Sequence, residues 1–355
     1  MSGAEGAEAG AATAVPAYRR LTTQRLARLA GAAVVLAACL VVDVLTGPAL
    51  LDLDEVLHAL VAPSSADPAT AVIVWDIRLP MTLMAVLVGA ALALAGVAMQ
   101  TILGNPLASP YTLGFSAAAG FGAALVILTG ITLPLLPWLT VPVAAFLASA
   151  AAAALVYGFA SVRGMSAEVM VLAGIATLFL FQSLQSLVQY VAAPEVLQAI
   201  VFWLFGSLLK ASWANLPITA AITALCVLAL LPDLWRLTAL RLGDDRAAAL
   251  GIDVRRLRIR VFAIVALLTA GAVAFVGTIG FVGLVAPHLA RGLVGEDQRF
   301  LMPMAALSGA IVMAGASILS KLISPGSVVP IGIVTAVIGV PFLFGLILRG
   351  RRRHW

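Results

Sequence analysis

Lys210 and Lys321 are the only lysines in the chain, and neither stands where a phosphate loop would need it. Such a loop takes a glycine-rich turn, then Lys, then Ser or Thr, because the amine and the hydroxyl reach phosphate and magnesium. Here Ala211 follows Lys210, Leu322 follows Lys321, and neither lysine follows a glycine. The chain is not expected to bind ATP by that device. Ion coupling is poorly supplied as well. Carriers driven by protons or sodium bury carboxylates in their spans, and Asp43 is the one acid well inside an apolar run. His288 and Arg291 share the segment "APHLAR", where a lone histidine reads as a structural hydrogen-bonder rather than a proton relay. Cys39 and Cys226 both sit in apolar runs, so neither a disulfide framework nor a metal site is expected.

Two patterns remain. In "FQSLQSLVQY", Gln182, Gln185 and Gln189 recur at i, i+3 and i+7 with Ser186 beside them, which places them on one helical face. A polar stripe in lipid is costly and must meet a helix partner or a wet cavity. Interhelical glue and the lining of a substrate path both satisfy that demand. The second pattern is "RLGDDRAAALGIDVRRLRIR" at 241–260, where nine of twenty residues are charged. Its core, "LGDDRAAALG", sets helix formers between glycines with acids at the start, the pattern of a short capped helix. A solvated basic loop explains the arginines but not the glycine-bounded alanine run.

The elements that position these residues follow from composition. Of 355 residues, 63% are hydrophobic and 10% charged, and mean hydropathy is +1.11. Soluble domains carry about 25% charged residues, so the chain is expected to be an all-α polytopic membrane protein. The sequence pI of about 9.8 is assigned to basic loops, not to nucleic-acid binding. With about 20 apolar residues needed per span, ten spans are expected near 26–47, 79–101, 113–131, 138–160, 168–190, 213–232, 260–280, 281–295, 301–320 and 330–348. Residues 1–25 are expected to form a disordered tail, 26–349 the transmembrane domain and 350–355 a basic tail. The "LAAC" ending at Cys39 resembles a lipoprotein cleavage site, but the apolar run continues past it and an uncleaved first span explains it better.

Both termini are expected inside. Of 21 basic residues, that topology leaves only Arg78, Lys210 and Lys321 in outer loops, in keeping with the positive-inside tendency, and makes 233–259 a cytoplasmic loop. Spacing also hints at an inverted repeat of two five-helix halves. Gly96, Pro106 and Gly114 match Gly277, Pro287 and Gly295 in interval. Gly89, Gly96, Gly271, Gly277, Gly280 and Gly283 would let helix backbones approach closely.

Six segments together resemble a known family: "RLPMTLMAVLVGAALALAGVAMQTILGNPLASPYTLGFSAAAGFG" (78–122), "LAGIA" (172–176), "WLFGSL" (203–208), "LGDDRAAALGID" (242–253), "GTIGFVGLVAPHLARGLVG" (277–295) and "PIGIVTAVIGVPFLFGLIL" (330–348). They are similar to the FecCD family, the permease subunits of type II ABC importers for iron-siderophores, haem and cobalamin. The resemblance implies ten helices, a second permease subunit that is identical or paralogous, two cytoplasmic ATPases that bind ATP and Mg, and an extracytoplasmic binding protein. No cofactor is expected on this chain. It places the path beside the fifth helix, with Gln182, Gln185, Ser186 and Gln189, and the ATPase-coupling helix at Leu242, Gly243, Asp244, Asp245, Arg246, Ala248, Leu250, Gly251 and Ile252. Arg78 and Lys321 are expected to dock the binding protein, Met165 and Ser166 to gate the cytoplasmic side, and Asn105, Pro106, Gly114, Pro287 and His288 to serve structurally. The chain departs from the family at Met81, often basic, and at Val329, often acidic. A ferric siderophore is the expected cargo, with haem and cobalamin as alternatives. A proton-coupled carrier and a non-transporting receptor are the readings from other classes. The expected location is the bacterial cytoplasmic membrane.

Overall fold

The computed structural model describes residues 2–49, 51–324 and 326–349, with side chains from Tyr18 onward apart from those of 346, 347 and 349. The expected basic tail at 350–355 lies outside the described residues. No strand occurs among the described residues. In chain order the α-helices are α1 (Ser2–Leu45), α2 (Leu53–Val61), α3 (Pro68–Val72), α4 (Leu79–Ile102), α5 (Phe115–Thr129), α6 (Thr140–Val162), α7 (Ala167–Val191), α8 (Pro194–Leu204), α9 (Leu216–Leu230), α10 (Leu234–Leu240), α11 (Asp244–Ala249), α12 (Val254–Val276), α13 (Val282–Val294), α14 (Gln298–Leu322) and α15 (Ile331–Arg349). A π-helical turn, Ile73–Arg78, joins α3 to α4.

Seven helical stretches are long and apolar enough to cross a bilayer. Each of the ten expected spans has a helix at its place. Three of those, α5, α13 and α15, do not reach the length and hydropathy of a full crossing among the described residues. Helix α8 was not expected. Its run is only 11 residues long, between Pro194 at its start and Gly206, at φ 68°, just past its end. Helix α1 begins at Ser2, ahead of the first expected span. Alanine is the best helix former, and extending an existing helix costs far less than nucleating one.

Helix α4 is the centre of the molecule. Nearly every residue from Pro80 to Ile102 is buried, and α12, α13 and α14 pack around it. Glycines set how closely they pack. A Cβ on Gly89 would strike the Gly309 carbonyl of α14, and one on Gly96 would strike the Gly283 carbonyl of α13. Gly280 has open space around it and plays no such part. Helix α5 packs on α6 and α7, α12 on α6 and α9, and α1 on α14.

The interval repeat does not correspond to matching elements. Gly96 is inside α4, whereas Gly277 caps the end of α12. Pro106 is in a loop, whereas Pro287 is inside α13. Gly114 begins α5, whereas Gly295 ends α13.

Candidate functional site

The charged stretch folds into a short helix tied to the molecule's core. Gly243, at φ 101°, turns the chain into α11, and Asp244 and Asp245 occupy its first turn, where carboxylates favour the positive helix end. Ala247 faces inward with no exposure, and Ile252 anchors the segment after it. Arg246, Ala248 and Ala249 face outward, with Leu242 and Leu250 each more than half exposed at either end. Gly251, at φ 80°, supplies the left-handed turn that ends the helix.

Arg258 makes the tie. Its Nη1 and Nη2 donate to the two carboxylate oxygens of Asp244 at 2.8 and 2.9 Å, and its Nε donates to the Ile102 carbonyl at 2.9 Å. Ile102 is the last residue of α4. One guanidinium therefore joins α11, α12 and the end of the central helix. Sequence reasoning missed Arg258, but the signal was present. Val254, Val261, Phe262 and Val265 lie one and two turns away on the same face, and a charge on an apolar face requires a partner. A second cluster stands beside it. Asp233, fully buried, pairs with Arg236 at 2.9 Å and Arg260 at 3.2 Å.

The glutamine stripe on α7 divides. Gln182 and Ser186 are exposed, while Gln185 and Gln189 are half-buried. Gln185 lies against Gly120 of α5, where a Cβ would displace it. The centre of the open face belongs to Leu172, Ile175, Phe179 and Tyr190. The stripe thus flanks an open apolar face, on the side nearer α5.

At the opposite end of the bundle the docking role expected for Arg78 and Lys321 is not available to them. Both are buried, at 2% and 3% exposure. Lys321 Nζ reaches Asp43 Oδ1 at 2.9 Å and the Asp43 carbonyl at 2.8 Å. Arg78 donates to the carbonyls of Val44, Leu45 and Ala49. Thr82 donates to the second Asp43 oxygen at 2.5 Å. The two cations close the C-terminal end of α1, where free carbonyls and the helix dipole attract positive charge. Lys210, the third basic residue at that end, is exposed, with Nζ 5.2 Å from the Trp203 ring centroid.

Met165, expected at the cytoplasmic gate, stands in the turn before α7. Its side chain is 1% exposed and is part of the main core, on a left-handed backbone at φ 59°. It pins the turn between α6 and α7. Ser166 caps α7 by accepting from Val169 N at 3.4 Å. Asn105 Oδ1 accepts from Leu107 N at 2.9 Å, which shapes the turn holding Pro106. Gly114 stands against the α7 backbone at Leu178, so its bare, left-handed backbone is required there. His288 lies inside α13. Among the described residues its Nδ1 has no partner, and its ring meets Phe342 edge-on at 6.3 Å.

The described residues form a many-helix, largely apolar body with a short charged helix tied to its central span, the build of a membrane transport subunit. The chain belongs to the FecCD transport family, whose profile matches residues 35–349. It is an ABC importer permease, a class of subunit that is not itself an enzyme. It is 37% identical over 284 residues to the hemin transport system permease protein HmuU of Yersinia pestis, covering 79% of this chain and 85% of that one. It is 35% identical over 282 residues to the vitamin B12 import system permease protein BtuC of Vibrio cholerae, covering 78% and 83%. An inward-facing structure of a metal-chelate type ABC transporter superposes with a TM-score of 0.79 at 33% identity, covering 91% of this chain and 98% of that one.

Proposed function

We propose that the chain is one of two permease subunits of an importer that carries ferric siderophores across a bacterial cytoplasmic membrane. Energy comes from two separate ATPases bound at the arginine-rich end, and cargo arrives from a binding protein at the other. On this reading α1, α4, α5, α6, α7, α9, α12, α13, α14 and α15 are the ten membrane segments, the short α5, α13 and α15 among them, with both termini cytoplasmic. The observation that carries the proposal is the Asp244–Arg258–Ile102 linkage. It gives a push on an exposed helix a rigid route into the central span, which a mere surface loop would not need. The structural similarity to a metal-chelate transporter supports a chelated metal as cargo. The similarity to HmuU makes haem the alternative.

The test is uptake in proteoliposomes holding the permease, its ATPase and its binding protein. A ferric siderophore should accumulate only with ATP. Accumulation driven by a proton gradient without ATP would overturn the assignment of mechanism, and uptake of haem but not of any ferric siderophore would overturn the cargo. Orientation has its own measurement. Cysteines placed singly at Arg246 and Arg256 should react in intact cells only with reagents that cross the membrane.

A further inference from the structure

Beside the coupling helix lies a cavity of about 620 Å³, walled by Thr101 of α4 and the loop after it, by Arg241 and Asp244 around α11, by Arg258 of α12 and by Arg291 and Glu296 of α13 and its end, with His288 beside them. Its charges do not balance. Arg258 is fully committed to Asp244 and the Ile102 carbonyl. Arg241 pairs with Glu296 at 2.7 Å, and Arg291 must share that same carboxylate at 3.3 Å. Three guanidiniums thus face two carboxylates, leaving one positive charge in excess.

The hydrogen bonds are short on the same side. The Arg291 side chain is only 10% exposed. Its Nη2 donates to Gln100 Oε1, but among the described residues Nη1 has no acceptor and Nε is not aligned on Glu296 for a hydrogen bond. His288 Nδ1, in the same wall, is also without a partner. The one unpaired acceptor nearby, Gln298 Oε1, belongs to a residue behind Thr101 that does not line the cavity. Buried donors left unpaired are costly and rare in folded proteins. The uncompensated positive charge in this wall calls for an anion, and a guanidinium fork fits a tetrahedral oxyanion.

We propose that this cavity binds a phosphate-class oxyanion, with Arg291 as the principal ligand and Arg241 and His288 contributing. The anion would tie the start of the coupling segment to α13, a link that the protein alone makes only through the overextended Glu296. The same chemistry is available from free inorganic phosphate and from the phosphodiester of an anionic lipid headgroup. The site does not depend on which cargo the transporter carries.

Binding of inorganic phosphate to the full-length chain is measured calorimetrically against chloride at equal ionic strength, in neutral detergent and in nanodiscs of phosphatidylcholine or phosphatidylglycerol. The wild type should bind phosphate in detergent and in phosphatidylcholine. Arg291→Gln should weaken binding about tenfold or more, the ratio expected for losing one charge-assisted hydrogen bond. Pro106→Glu, which sets a negative charge on the loop wall and spares the helix core, should weaken it likewise and decides the matter if Arg291→Gln does not stay monodisperse. Phosphate binding abolished in phosphatidylglycerol discs identifies the headgroup as the occupant, and binding kept there identifies the free anion. Absence of phosphate binding in both neutral settings, or wild-type affinity in the folded variants, overturns the site.

Discussion

Asp43 is a carboxylate with no exposure that faces two buried cations, Arg78 and Lys321. From sequence, an acid in a span suggests ion coupling and a cation near a helix mouth suggests docking. Contact between them makes both suggestions unnecessary. The pairing was not legible because Asp43 and Lys321 are 278 positions apart, and no local period joins them. The site is a fastener for the end of α1. Asp43→Asn leaves two buried positive charges with one neutral partner, and removing one member of a buried pair costs about 3–5 kcal/mol. Thermal unfolding in detergent should therefore show a large loss for Asp43→Asn. Adding Lys321→Met should recover much of it, because the ammonium's burial cost goes with its charge. If the single variant unfolds like the wild type, Asp43 does not hold the cluster.

Helix α11 was readable in advance because its signals are local: glycine at each end, acids in the first turn, alanines between. Its tether was not, because it runs through Arg258 on the next helix. The outward side chains predict the first test. Ala248→Trp should abolish co-purification with the ATPase while the permease stays monodisperse, since only a small side chain lets a partner approach the helix. Ala247→Trp, one position earlier, should instead damage the permease itself, because Ala247 has no exposed surface. Equal effects from the two would mean that α11 presents no defined face. The tether predicts a second test. In a double-mutant cycle, Asp244→Ala and Arg258→Gln should couple by roughly 1 kcal/mol of stability, with Asp244 half-exposed and the pair accordingly screened. ATP-driven uptake should fall far more than stability, since the pair transmits a push as well as holding a fold. A fall in uptake no larger than the loss of folded protein would reduce the tether to packing.

Across the whole molecule, composition already excluded a soluble protein, and periodicity placed a helix at each expected span. Length is where it failed. The 13 residues of α13 are too few for a full crossing, and they are set into the bundle by Phe281, a left-handed residue at φ 67°, which no apolar run announces. The functional face of α7 was half legible for a similar reason. Helical spacing found Gln182, Gln185, Ser186 and Gln189, but only the neighbouring α5 decides which of them stay open. Phe179 and Tyr190, 62% and 87% exposed, would rest equally well against lipid or a second subunit. Gln182 and Ser186 would not, because an exposed amide or hydroxyl facing hydrocarbon has nothing to bond to. The face must therefore meet water along the edge carrying the stripe. In the assembled transporter, Gln182→Cys and Ser186→Cys should react with an aqueous, membrane-impermeant maleimide. Leu147→Cys, on an exposed face of α6 with no polar stripe, should not. Replacing Gln182, Gln185 and Gln189 together with Leu should leave the amount of assembled complex unchanged and lower uptake severalfold, because the wet edge becomes apolar and holds the cargo's polar surface poorly. Labelling of Gln182→Cys as slow as that of Leu147→Cys, together with normal uptake by the triple variant, would make the stripe an interhelical contact and move the path to another face.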